Sequence, residues 1–138
     1  MRIVLGCISL GLVAAVLSCG SGSNSQEPNP NPNPTGCADR GGGSAGEVTV
    51  GNILFRSAHN GTCNPAVDTV AVGGTVTWTW VNTGATSHSV RFSGTPNLSS
   101  GLLTGDGATH TATFTAAGTY NYDCVVHGSQ MTGRVVVQ

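Results

Sequence analysis

The sequence has no lysine; its five basic side chains are all arginines. Charged residues make up only 8% of the 138, and the formal net charge is −1. A chain this poor in positive charge lacks the basic face that phosphate backbones require, which argues against nucleic acid as a partner. Helical periodicity is missing as well. Gly (21) and Pro (6) are frequent and threonine is abundant, so long helices are excluded beyond the extreme N-terminus. From Ser21 to Gly46 there is no Val, Ile, Leu, Met, Phe, Trp or Tyr at all. A stretch with nothing apolar to bury cannot offset its ordering entropy, so it is expected to be a disordered tether. Its centre, Pro28-Asn29-Pro30-Asn31-Pro32-Asn33-Pro34, favours extended polyproline II.

What precedes the tether reads as an export signal. Met1-Arg2 opens with positive charge and Ile3 to Leu17 is mostly apolar, a run of about fifteen residues where a spanning helix needs roughly 20. The run ends in Val16-Leu17-Ser18-Cys19-Gly20, which resembles the lipobox of bacterial lipoproteins, although Leu17 stands where a smaller residue is usual. The resemblance implies cleavage after Ser18 and lipidation of Cys19. It divides the chain into a signal (1–18), a lipidated N-terminus and tether (19–46) and a folded domain (47–138). It also implies a place in the bacterial cell envelope, on the periplasmic or outer face, anchored to a membrane without spanning it. The alternative is an ordinary secretory signal, cut nearby; the mature protein works outside the cytoplasm in either case.

From Glu47 to Gln138 the pattern is that of an all-β domain. Val76, Trp78 and Trp80 fall on one face of a period-two run and Thr75, Thr77 and Thr79 on the other. Similar runs cover 47–55, 68–72, 87–92, 108–115, 118–124 and 132–137. Turn signals separate them at Gly73-Gly74, Asn82-Thr83-Gly84, Ser93-Gly94-Thr95-Pro96, Gly105-Asp106-Gly107 and Ala117-Gly118. About seven to eight short strands at this spacing predict an antiparallel β-sandwich of Greek-key type.

There are five cysteines. On the lipoprotein resemblance Cys7 leaves with the signal and Cys19 would be the lipid anchor, so three are expected to remain in an oxidising compartment, where two can pair and one is left over. Cys37 at the tether's end and Cys63 in the polar loop His59–Pro65 sit where a surface disulfide can form. Cys124 instead closes a strand, on the face shared by Tyr120 and Tyr122. The residues after it give that thiol a use. Cys124-Val125-Val126-His127-Gly128-Ser129-Gln130-Met131 offers a thiolate, an imidazole and a thioether within one short stretch, a soft donor set that favours copper. Zinc prefers a fourth Cys, His or carboxylate to a thioether. A second imidazole, His88, lies upstream in Thr86-Ser87-His88-Ser89-Val90, on the face of Val90 and Phe92. Two histidines and a cysteine with a weak axial methionine form the ligand set of a type 1 copper site.

With these residues, and with Val70–Trp78, Ala117–Cys124 and Met131–Val137, the domain resembles the cupredoxins, small blue copper proteins of the plastocyanin and azurin type. The resemblance implies a cupredoxin-like fold holding one type 1 copper ion on His88, Cys124, His127 and Met131. It also implies a non-enzymatic role as a carrier of single electrons, docking transiently with redox proteins near His127. Two departures stand out. His127 and Met131 are four residues apart where relatives often have three or five, and Ser89 follows the upstream histidine where asparagine is common. That position usually hydrogen-bonds near the cysteine sulfur, a contact expected here from the Ser89 hydroxyl or backbone. The alternative function is copper handling by a periplasmic lipoprotein, but clusters of extra Met or His are missing, Met1 and Met131 being the only methionines. His110 is expected at the core edge and His59 in solvent. With no other spare histidines, the chain cannot furnish the additional copper centres of a multicopper oxidase.

Overall fold

The computed structural model describes Cys37 and residues 41–138. The expected signal, the Cys19 lipid site and most of the tether lie outside the described residues.

Eight strands form two four-stranded sheets packed face to face. They are β1 (Glu47–Gly51), β2 (Leu54–Ser57), β3 (Ala66–Val70), β4 (Thr75–Trp80), β5 (Arg91–Phe92), β6 (Thr109–Thr113), β7 (Gly118–Cys124) and β8 (Gly128–Val137). The first sheet has the order β2-β1-β4-β6 and the second β3-β8-β7-β5. The sandwich is therefore as the alternation predicts, but its sheets are mixed. β1 runs parallel to β4 and β3 parallel to β8, while the other pairs are antiparallel. Alternation reports which face a residue occupies and carries no strand direction. Direction comes from the path: after the β1–β2 hairpin the chain crosses to the second sheet for β3 and returns as β4 beside β1.

Strand limits differ from the sequence expectation where turns are cryptic. The run 47–55 is broken by a two-residue turn at Asn52-Ile53, with Gly51 paired to Leu54. Ile53 adopts φ 57°, a conformation rare for a β-branched residue, so nothing in the local composition announces the turn. Of the run 87–92 only Arg91-Phe92 joins the sheet. β8 begins at Gly128 and so takes in Met131, where the sequence suggested a start at 132.

The core fills the space between the sheets. Val76, Trp78 and Trp80 are fully buried, as their shared face predicts. The Trp78 ring meets Tyr122 and Phe92 edge-on, with centroids 5.4 and 5.8 Å away, and Phe55 meets Tyr122 at 4.9 Å. These aromatic contacts knit the first sheet to the second. Gly133 of β8 lies directly under the Tyr122 ring, where any Cβ would collide.

The attached region starts before Glu47. The Gly42 and Gly43 N–H groups both donate to the Ala58 carbonyl at 2.9 Å, and the Gly46 carbonyl accepts from Thr77 N–H at 2.7 Å. Cys37 and Cys63 form a disulfide with Cα atoms 5.8 Å apart. Backbone hydrogen bonding and this crosslink hold residues that have no apolar side chains to bury, which is why hydropathy alone places them in the tether.

Candidate metal centre

One end of the second sheet gathers the chemistry. β7 delivers Cys124 at its last position, beside an irregularity in the β7–β8 register between Asp123 and Cys124. The chain then turns through Val125–His127. His127 N–H donates to the Cys124 carbonyl and Gln130 N–H to the His127 carbonyl, each at 3.2 Å. Gly128, at φ 53°, closes the turn in the left-handed region that suits glycine. The two hydrogen bonds fix the imidazole relative to the thiol. Three residues into β8, Met131 falls on the strand's inward face, fully buried in the same apolar cluster as Cys124.

His88 reaches the same point from the connection between β4 and β5. Its backbone exchanges two hydrogen bonds with Leu103, N–H to carbonyl at 3.0 and 2.9 Å in the two directions. Just beyond, Ser100 Oγ accepts from Val90 N–H at 2.8 Å and Ser99 Oγ from Phe92 N–H at 2.9 Å. The serines thus satisfy backbone donors that a longer strand would have paired. No periodic signal in the sequence marks Leu103, Ser99 or Ser100, because they act through an irregular connection.

The Cys124 Sγ lies 3.9 Å from His88 Nδ1 and 3.4 Å from His127 Nδ1, and the three donor atoms lie within 4.8 Å of one another. The two imidazole rings are 4.9 Å apart, centroid to centroid. Cys124 and His88 are fully buried and His127 is half-buried. Burial, and secondarily the neighbouring His127, lower the His88 pKa, so the ring stays neutral with a lone pair to offer. Its Nε2 is buried without a hydrogen-bond partner, leaving Nδ1 as the nitrogen turned toward the thiol. Cys124 is the free thiol among the described cysteines, Cys37 and Cys63 being paired.

Ser89 acts close to where it was expected to. Its hydroxyl accepts from Val125 N–H at 3.0 Å, so the contact falls on the residue after Cys124 and ties the two ligand-bearing segments together. Behind the site, Arg91 pairs with Asp123 through two hydrogen bonds of 2.7 and 2.6 Å. The remaining histidines stay apart. His110 Nε2 contacts the Leu98 carbonyl at 2.8 Å and its ring rests near Trp78, while His59 is exposed.

Residues 58–138 match the plastocyanin/azurin family of copper binding proteins. The chain belongs to this family. Among solved structures, an oxidised mutant of amicyanin is 32% identical, covering 68% of this chain and 82% of that one, with a TM-score of 0.53. A second amicyanin mutant, in the reduced state, is 31% identical over the same shares, with a TM-score of 0.51. The oxidised plastocyanin from Dryopteris crassirhizoma is 28% identical, covering 67% and 99% of the two chains, with a TM-score of 0.52. For this cupredoxin, His88, Cys124 and His127, with Met131, are placed to bind a single copper ion. The donors fit the metal: a buried thiol, two imidazole nitrogens and a thioether are the soft and borderline ligands copper favours.

Proposed function

We propose that this cupredoxin is a membrane-tethered carrier that passes single electrons between redox proteins outside the cytoplasm. The convergence of His88, Cys124 and His127 at one buried point, with the cysteine kept out of the disulfide, carries the reading. Copper bound there supplies a one-electron couple between Cu(I) and Cu(II). The protein's part is to hold the donors still. Cys124 ends a strand packed between neighbours and Met131 is buried in the core. His88 is pinned through Leu103 and Ser89, so the donors need little rearrangement when charge changes.

His127 is the donor that reaches toward solvent, and Val125, Val126 and Leu102 are exposed in the segments that carry the donors or brace them. Exposed apolar side chains in these segments, with a half-buried imidazole among them in sequence, suit brief docking through a small interface, of less than about 1,200 Å². With so little charge on the chain, association should depend weakly on ionic strength. The tether and a lipid at Cys19 would keep the domain at the cell envelope, on the periplasmic or outer face.

The test uses the full chain expressed in bacteria and loaded with copper. An intense thiolate-to-copper absorption in the visible, a reversible one-electron voltammetric couple and membrane fractionation that Cys19→Ser abolishes are expected. A colourless copper complex, or copper surrendered without reversible cycling, would instead indicate copper handling.

A further inference from the structure

The segment between the disulfide and β3 touches the ligand loop through one side chain. Asn64 follows Cys63 and precedes Pro65, at a backbone φ of 36° that asparagine tolerates better than most residues. Its backbone N–H donates to the Phe55 carbonyl at 3.2 Å, and its Oδ1 accepts from Phe55 N–H at 3.1 Å. These two bonds fix Asn64 to β2. The Nδ2 amide then donates in two directions, to the Ile53 carbonyl at 2.8 Å and to the Gln130 carbonyl at 3.0 Å. Ile53 belongs to the β1–β2 turn. Gln130 lies between His127 and Met131, and its own N–H donates to the His127 carbonyl.

The neighbouring backbone cannot make this link. β3 pairs with β8 from Ala66 opposite Gly133 onward, and Pro65, immediately before, has no N–H to extend the ladder toward Gln130. The Asn64 amide continues the β3–β8 connection by side chain, and it does so at the residue joining two copper donors. The segment is itself held by the Cys37–Cys63 disulfide one residue earlier.

We propose that Asn64 is a positioning residue for the copper site. By holding the Gln130 carbonyl it sets the span between His127 and Met131, and so resists the loop opening through which the metal leaves. The proposal rests on the copper-site reading above. It separates the two ends of one amide: the Oδ1 serves the scaffold at Phe55, the Nδ2 serves the ligand loop.

The experiment compares the full-length wild type with Asn64→Asp and Asn64→Ala. Asn64→Asp keeps an acceptor for Phe55 N–H and loses both Nδ2 donors, whereas Asn64→Ala loses all three side-chain hydrogen bonds and keeps only the backbone bond to the Phe55 carbonyl. Copper transfer to a colorimetric Cu(I) chelator should accelerate about tenfold in both variants, the scale typical of contacts behind a metal ligand. In the metal-free proteins, amide hydrogen exchange at residues 127–131 should rise in both, while exchange at Phe55 rises only in Asn64→Ala. Asn64→Asp releasing copper at the wild-type rate, with unchanged exchange at 127–131, would overturn the assignment. So would loss of thermal stability in both variants without any change in copper release. A wild type lacking the thiolate-to-copper band would overturn the copper-site reading along with it. A wild type with that band and variants identical to it would overturn the Asn64 role alone.

Discussion

The two sheets of the sandwich divide the work unequally. The first, β2-β1-β4-β6, lends Val48, Val50, Phe55, Val76, Trp78 and Trp80 to the core and no donor to the metal centre. The second, β3-β8-β7-β5, carries all four donors on its strands or on the connections entering them. Its ends are irregular, with a two-residue strand, a register shift beside Cys124 and a tight turn at His127. Regular pairing gives stability, because every alternate side chain meets an apolar partner. Irregular pairing frees side chains near strand ends to aim at a common point. One sheet is the wall that keeps the other's exceptions in place.

Three substitutions would sharpen or break that division. The largest effect is expected from Cys124→Ser, which should abolish the visible copper band entirely while the metal-free protein still unfolds cooperatively. A blue Cys124→Ser protein would place the thiolate elsewhere. Next is Trp78→Ala in the first sheet, expected to cost about 3–5 kcal/mol of unfolding free energy by emptying a fully buried site. Denaturant titration measures that loss, and the copper band of the folded fraction should keep its position. A large spectral shift would show that the wall also tunes the site. The smallest is Gly133→Ala in the second sheet, where the new methyl presses on the Tyr122 ring and should cost about 1–3 kcal/mol. Gly133→Ala pushes the Tyr122 ring, two residues from Cys124, whereas Trp78→Ala only removes one of that ring's neighbours, so a modest band shift is expected here and not in Trp78→Ala. Equal spectra in the two variants would dissolve the distinction between the sheets.

Much of the site was legible in the sequence. His88, Cys124, His127 and Met131 announce themselves because few jobs other than metal binding bring a thiol, two imidazoles and a thioether together in a chain with an odd number of cysteines. The buried row Val76, Trp78, Trp80 was equally plain, since alternation reports faces directly. The parallel pairing of β1 with β4 was not legible, because either strand direction gives the same alternation. The turn at Ile53 was hidden by a β-branched residue in an unusual conformation. The attachment of residues 41–46 was hidden too, because backbone carbonyls and amides make it and every sequence has those. Asn64 looked like an ordinary loop residue beside a proline; its importance lies in a carbonyl 66 positions further along the chain.

The sequence by itself determined the chemistry of the centre, the all-β class and the face each strand turns inward, because donor identity and side-chain period are local properties. Only the tertiary structure decided that the donors meet, that Cys37 pairs with Cys63, that the contact expected of Ser89 falls on Val125 N–H, and that Leu103 and Asn64 brace the ligand segments. Those facts depend on which distant backbone groups come within hydrogen-bonding range once two sheets close over a common core, and short-range patterns do not encode that proximity.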